Sequence, residues 1–85
     1  MSSAYETIAW HFRDVDGVLT QVGAGVSVKV RKVGAGSDLA ESPLTTNSDG
    51  ETLAGTFAST TAGDLVNFRI ENFNGMATSR TVRTV

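Results

Sequence analysis

Three segments of this 85-residue chain alternate apolar and polar residues with a period of two. Val26, Val28 and Val30 alternate with Ser27, Lys29 and Arg31; Val66, Phe68 and Ile70 alternate with Asn67, Arg69 and Glu71. Ile8, Trp10 and Phe12 alternate with Thr7, Ala9 and His11. Successive side chains of a strand point to opposite faces, so each segment reads as a strand with one buried and one wet face. No comparable stripe at i, i+3, i+4, i+7 competes with them. The residue supply agrees: 11 Thr, 10 Val, 9 Gly and 8 Ser stand against 5 Leu and 2 Met. Thr and Val lose rotamer freedom in a helix and Gly loses backbone entropy, whereas the same residues suit strands joined by tight turns. The chain is expected to be all-β.

Turn chemistry cuts it into about seven strands. Asp14-Val15-Asp16-Gly17, Gly23-Ala24-Gly25, Gly34 to Asp38, Asn47-Ser48-Asp49-Gly50, Thr61 to Asp64 and Asn72 to Gly75 recur at roughly 10-residue spacing. The strands are placed near 4–13, 18–22, 25–33, 38–46, 51–60, 65–72 and 76–84. Pro43 lacks an N–H and reduces the fourth to a kinked edge strand at best. Gly50 is expected to hold a positive φ, where a Cβ would clash. Trp10, Phe12, Val28, Phe57, Phe68 and Ile70 fall on inward positions and make the predicted core. Tyr5 and Phe73 flank the N-terminus and a turn and are read as candidates for exposure.

Length and composition bound the rest. Eighty-five residues predict a single antiparallel β-sandwich domain over 1–85, with a thin core and 76–85 as an edge strand or tail. The absence of Cys excludes disulfide scaffolds and thiolate metal sites. A net charge of -2 argues against a nucleic-acid partner, since counterion-release binding needs a clustered positive face. The apolar runs are too short for a membrane-spanning helix, which needs about 20 residues. Met1 reads as a natural start with no secretory signal after it, which implies cytoplasmic synthesis.

The candidate chemical motifs are weak. His11 is the only His, and no Gly-x-Ser-x-Gly elbow accompanies it, so a surface strand residue is the better reading than a catalytic base. Gly23-x-Gly25 and Gly34-x-Gly36 have neither the third Gly of a dinucleotide fingerprint nor a Lys-Ser/Thr pair, and strands follow them. Asp14-x-Asp16-Gly17 and Asn47-x-Asp49-Gly50 look like fragments of a calcium loop. Counting Gly as the sixth position puts Gly23 or Thr56 where a bidentate Glu is required, so plain β-turns are preferred. Arg31-Lys32 and Arg80 with Arg83 are the only basic concentrations. No catalytic, metal or cofactor set emerges.

From residue 16 onward the order of turns and strands resembles the transthyretin-like group, which includes carboxypeptidase regulatory-like domains and collagen-adhesin B-type repeats. The elements are Asp16-Gly17, Gly23-Ala24-Gly25-Val26-Ser27-Val28, Thr45-Thr46-Asn47-Ser48-Asp49-Gly50, Thr56-Phe57, Gly63-Asp64 and Val66-Asn67-Phe68-Arg69-Ile70. They cover about two-thirds of the chain. The extra Gly between Ala24 and Val26 departs from the pattern, and no Lys-Asn/Asp/Glu set suggests an isopeptide bond. The resemblance implies a transthyretin-like or Greek-key sandwich and a non-enzymatic module. Size and composition are also similar to those of small structural proteins of tailed-phage particles.

The functional expectation is therefore a non-catalytic structural module, a virion component of head, neck, tail or decoration type, assembled in a host cytoplasm. Its expected partners are further copies of itself or other virion proteins, with no cofactor, no nucleic acid and no membrane. The alternative is an adhesive or carbohydrate-binding module, for which Tyr5 and Phe73 would be the rings. The candidate interaction residues are Thr78, Arg80, Thr81, Val82 and Arg83. Their segment carries β-formers but too few large apolar side chains for a fully buried strand, so its free edge is expected to pair with another chain.

Overall fold

The computed structural model describes residues 2–85. Two of the three alternating segments form long strands, β5 (Ser27–Lys32) and β9 (Leu65–Phe73), and after a turn at Asn74-Gly75 the C-terminal segment forms another, β10 (Met76–Arg83). The other strands are short: β1 (Ser3–Tyr5), β2 (Ile8–Ala9), β3 (His11–Arg13), β4 (Leu19–Gln21), β6 (Leu44–Thr45), β7 (Glu51–Thr52) and β8 (Gly55–Phe57). All pairing is antiparallel. The strands lie in separate sheets, one four-stranded in the order β10-β9-β5-β6 and three two-stranded, β1-β8, β2-β7 and β3-β4.

The expected strand 4–13 is broken into β1, β2 and β3. Ser3, Tyr5, Ile8, Trp10 and Phe12 are buried, while Glu6 and Thr7 are exposed one after the other. The inward phase thus switches from odd to even residues at Glu6-Thr7, as an irregularity in a ladder allows. The register across the break is unchanged: Ser3 faces Phe57, Ile8 faces Thr52, and Trp10 N–H donates to the Gly50 carbonyl (3.1 Å). Thr7 Oγ1 accepts the Ala54 N–H (3.1 Å), which holds the kink. The phase switch turns Tyr5 inward, contrary to its expected exposure; it is 8% exposed.

The expected strand 38–46 is reduced to Leu44–Thr45. The preceding loop is strapped to β5 by single bonds instead of a ladder. Leu39 N–H donates to the Val30 carbonyl (2.9 Å), and Val30 N–H donates to Ser42 Oγ (3.2 Å). Pro43 has no N–H to extend that ladder. The expected strand 51–60 is likewise split into β7 and β8, opposite the kink.

One core joins the sheets. Trp10, Phe12, Val28, Phe57, Phe68 and Ile70 are buried where the alternation places them, together with Tyr5, Ile8, Val22, Val30 and Val66. Tyr5 stacks on Phe57 with centroids 4.5 Å apart and meets Phe68 edge-on at 5.4 Å. Five polar residues, Ser3, Thr46, Thr52, Thr60 and Thr84, are buried among them. Gly50 holds φ +71°, and a Cβ built on it would lie 2.4 Å from the Val22 carbonyl oxygen. Gly75 holds φ +81° in open space.

Two substitutions test this packing. Phe68→Ala should cost about 3–5 kcal/mol, as truncations of large core side chains do, while Asn67→Ala on the outer face should cost below ~1 kcal/mol. Equal shifts in the denaturation midpoint would show that the strand phase is wrong. Gly75→Ala should cost about 1–2 kcal/mol for its backbone conformation alone. Gly50→Ala should cost measurably more, because the Val22 carbonyl must also move. Identical midpoints for the two alanine variants would contradict the close approach at Gly50.

Candidate functional site

The candidate residues all sit on β10. Its ladder to β9 pairs Thr78 with Ile70, Arg80 with Phe68, Thr81 with Asn67, Val82 with Val66 and Arg83 with Leu65, with an irregularity between Met76 and Thr78. Beyond Arg83 the chain remains ordered by pairing. Thr84 N–H donates to the Asp64 carbonyl (2.9 Å) and its carbonyl accepts the Gly63 N–H (2.8 Å). Val85 turns the other way and exchanges two backbone hydrogen bonds with Ala4 (2.8 and 3.0 Å). The segment is an edge strand, anchored at its end, and not a tail.

That anchor fixes which backbone groups are free. In an antiparallel ladder successive residues direct N–H and C=O to opposite sides. Thr84 bonds toward β9 and Val85 away from it, so Arg83, Thr81 and Ser79 also direct their backbone groups away from β9. Among the described residues no strand pairs with this side of β10. Thr78 and Val82 are half-buried, with Val82 packed against the core; Arg80, Thr81 and Arg83 are exposed.

Beside the free edge runs a groove of about 280 Å³. The Ala4–Ile8 segment makes one wall; Arg80, Val82 and Arg83 make the other. Neither arginine has a carboxylate within salt-bridge distance among the described residues. Arg83 Nη1 reaches only the Gly63 carbonyl, at 3.4 Å.

The outer face of β5 and β9 is the opposite case, because its charges neutralise one another. Asp38 accepts from Arg31 Nε (3.0 Å) and from Arg69 Nη2 (3.0 and 3.2 Å). Lys29 pairs with Glu71, and Lys32 Nζ lies 3.5 Å from Asp64. The Arg69 hydrogen bond, with help from Arg31, holds the Asp38 carboxyl below the usual range. Asp64 is lowered chiefly by the Thr61 N–H that it accepts, then by Lys32; Glu71 is lowered chiefly by Lys29. Burial pushes the Tyr5 hydroxyl up, and the Glu41 carboxylate adds to it.

The remaining sequence candidates resolve into local structure. His11 is exposed on β3, opposite Gln21. Asp14 Oδ1 accepts the N–H groups of Asp16 and Val18 (both 2.9 Å), and Asn47 Oδ1 accepts those of Asp49 and Glu51 (2.9 and 3.0 Å). Both loops are Asx-type turns in which Asp14 Oδ1 and Asn47 Oδ1 bond their own backbone. Tyr5 is buried, and Phe73 is half-buried against Phe12 with centroids 5.1 Å apart, so the two rings form no exposed platform. Among the described residues no helix is long and apolar enough to cross a membrane.

The sequence pointed to β10 through its β-formers and arginines. It did not reveal the groove wall opposite, because that wall depends on the phase switch at Glu6-Thr7. Compared with known proteins, the chain matches no family model, no curated protein and no solved structure.

The charged face predicts acid sensitivity. The carboxyls of Asp38, Asp64 and Glu71 titrate lower in the folded chain than in the unfolded one. Stability from a lowered carboxyl is fully present above its unfolded value, about 3.9–4.3, and is lost as pH falls through the lowered native value. The melting temperature should therefore change little from these groups between neutrality and about pH 5, then drop below about pH 4. Asp38→Asn should lower it near neutrality and flatten the acid drop. An Asp38→Asn profile parallel to that of the wild type would contradict the assignment.

Proposed function

We propose that the chain is a non-catalytic assembly module, built as a transthyretin-like antiparallel sandwich of about seven strands and serving as a structural component of a virion. In this reading the four-stranded sheet is one layer. The segments 3–13, 19–21 and 51–57 make the other, and Tyr5, Phe57 and Phe68 are the contact between them.

The observation that carries the reading is the edge of β10. It presents unpaired backbone groups at Ser79, Thr81 and Arg83 beside two arginines that have no carboxylate partner. An edge of this kind is a template for a strand from another chain, with main-chain hydrogen bonds supplying affinity and side chains supplying register. Arg80 and Arg83 repel an identical edge brought into like-charge register and favour a partner that offers Asp or Glu. The same partner could be a further copy or a neighbouring particle protein. Assembly also suits the size of the chain, since a thin core gains from surface buried between subunits.

Thr81→Pro is the direct test. Position 81 directs its N–H away from β9, so proline there removes an outward donor and keeps the backbone ladder to β9, giving up only the exposed side-chain bond from Asn67 Nδ2 to Thr81 Oγ1 (3.3 Å). The variant should melt within a few degrees of the wild type yet lose its oligomers in light scattering, or its place in purified particles. Unchanged assembly would remove β10 from the interface. A wild-type chain that stays monomeric at high micromolar concentration and is absent from particles would overturn the reading.

A further inference from the structure

The second concentration of unsatisfied surface lies at the other end of the molecule. The β3–β4 hairpin carries Val15, Val18 and Leu19, three of the most exposed large apolar side chains, at 101%, 58% and 57%. Asp14 and Asp16 flank Val15. Asp14 is held by the turn, but among the described residues no salt bridge engages Asp16. The hairpin is also pre-built. Asp14 N–H donates to the Val18 carbonyl (3.0 Å), Gly17 N–H to the Asp14 carbonyl (3.0 Å), and Arg13 Nη1 to the Gly17 carbonyl (2.8 Å). A knob ordered in advance loses little conformational entropy when it docks.

Resting on the assembly reading above, we infer that this hairpin is the partner of the β10 groove, and that it comes from a second copy of the chain. Three observations fit together. The groove has apolar lining at Ile8 and Val82, and its two arginines, neither of them ion-paired among the described residues, outnumber its one carboxylate side chain, Glu6; the hairpin offers exposed apolar side chains and an aspartate outside any ion pair. In this docking Asp16 would meet Arg80 and Arg83 while Val15 or Val18 covers Val82.

The hairpin cannot reach the groove of its own chain. Phe12 packs on Phe73, which puts the hairpin at the β9–β10 turn, whereas the groove lies at Ala4–Ile8 and the Val85 anchor. From Ile8 at the end of the groove to Asp14 in the hairpin the extended chain spans about 20 Å, and the molecule is 43 Å long. The contact is therefore between copies, the hairpin of one on the groove of the next; made reciprocally it closes a two-fold dimer, and made in one direction only it generates a ring or an open filament.

Complementary variants test this. Asp16→Arg spoils the hairpin and leaves the groove intact; the double variant Arg80→Asp with Arg83→Asp spoils the groove and leaves the hairpin intact. All three positions are exposed, so both proteins should fold, which thermal melts will check. Each alone should be monomeric in light scattering where the wild type is oligomeric. Mixed, they should form a 1:1 heterodimer through the one intact pair of surfaces, and added salt should weaken it. If Asp16→Arg assembles like the wild type while the arginine variant does not, the hairpin is overturned and the edge reading stands. If the mixture stays monomeric, docking of the hairpin on the groove is overturned. A wild-type chain that is monomeric alone but incorporated into particles through β10 would also overturn it, leaving the edge to a different protein.

Discussion

The structure depends on one contact, the meeting of Tyr5, Phe57 and Phe68 from three strands in two separate sheets. The Phe57 and Phe68 centroids are 5.8 Å apart, and Tyr5 touches both. Aromatic pairs of this geometry contribute about 0.5–1.5 kcal/mol each beyond the area they bury. In a chain of this size that is a large share of a small total. The contact exists only because the inward phase switches at Glu6-Thr7. A straight strand through Ile8, Trp10 and Phe12 would aim Tyr5 at solvent and leave Phe57 and Phe68 without their third ring.

The interior is also polar in a controlled way. Thr52 Oγ1 accepts the Trp10 indole N–H (3.2 Å), so the only tryptophan is buried without an orphan donor. Thr46 Oγ1 donates to the Gly23 carbonyl (2.7 Å) and accepts the Val26 N–H (2.9 Å), tying the Gly23–Gly25 turn to β6. Thr84 Oγ1 lies 3.2 and 3.1 Å from the Thr61 and Asp64 carbonyls, which closes the end of β10. Threonine can do this because its methyl packs like that of valine while its hydroxyl serves a backbone group that a short strand leaves unpaired. Burying such groups unpaired would cost far more than the hydroxyls do.

This division explains what the sequence revealed. The strands β5 and β9 were legible because alternation and flanking turns both mark them, β10 because a turn and a run of β-formers do, and the inward residues from Trp10 to Ile70 followed from the same phase. Gly50 was legible as a turn glycine, although its approach to Val22 was not, since that contact joins segments 28 residues apart. The interruptions were hidden. Nothing in Glu6-Thr7 announces a phase switch, and the loop before β6 reads as a weak strand until its bonds to Val30 are seen. The buried threonines were hidden too, because composition counts them as β-formers and cannot tell a solvated hydroxyl from one that caps a carbonyl. Of the candidate site, β10 and its arginines were visible, while the facing wall required the tertiary structure.

The two edges of the four-stranded sheet are treated differently, and the contrast supports the assembly reading. At β6 the paired strand is only two residues long, and the preceding loop caps β5 through Leu39, Ser42 and a proline. These are the usual means of blunting an edge. At β10 the edge strand is eight residues long, and among the described residues its backbone cover is the Ala4–Val85 bond pair at its far end. The guard over the rest is charge, from Arg80 and Arg83, and charge is selective where a proline or a cap is not. In the proposed reading it disfavours a basic strand and favours an acidic one. An edge guarded in that way resists pairing with a copy in like-charge register while leaving its main-chain groups available to an acidic partner, which is what the proposed assembly contact requires.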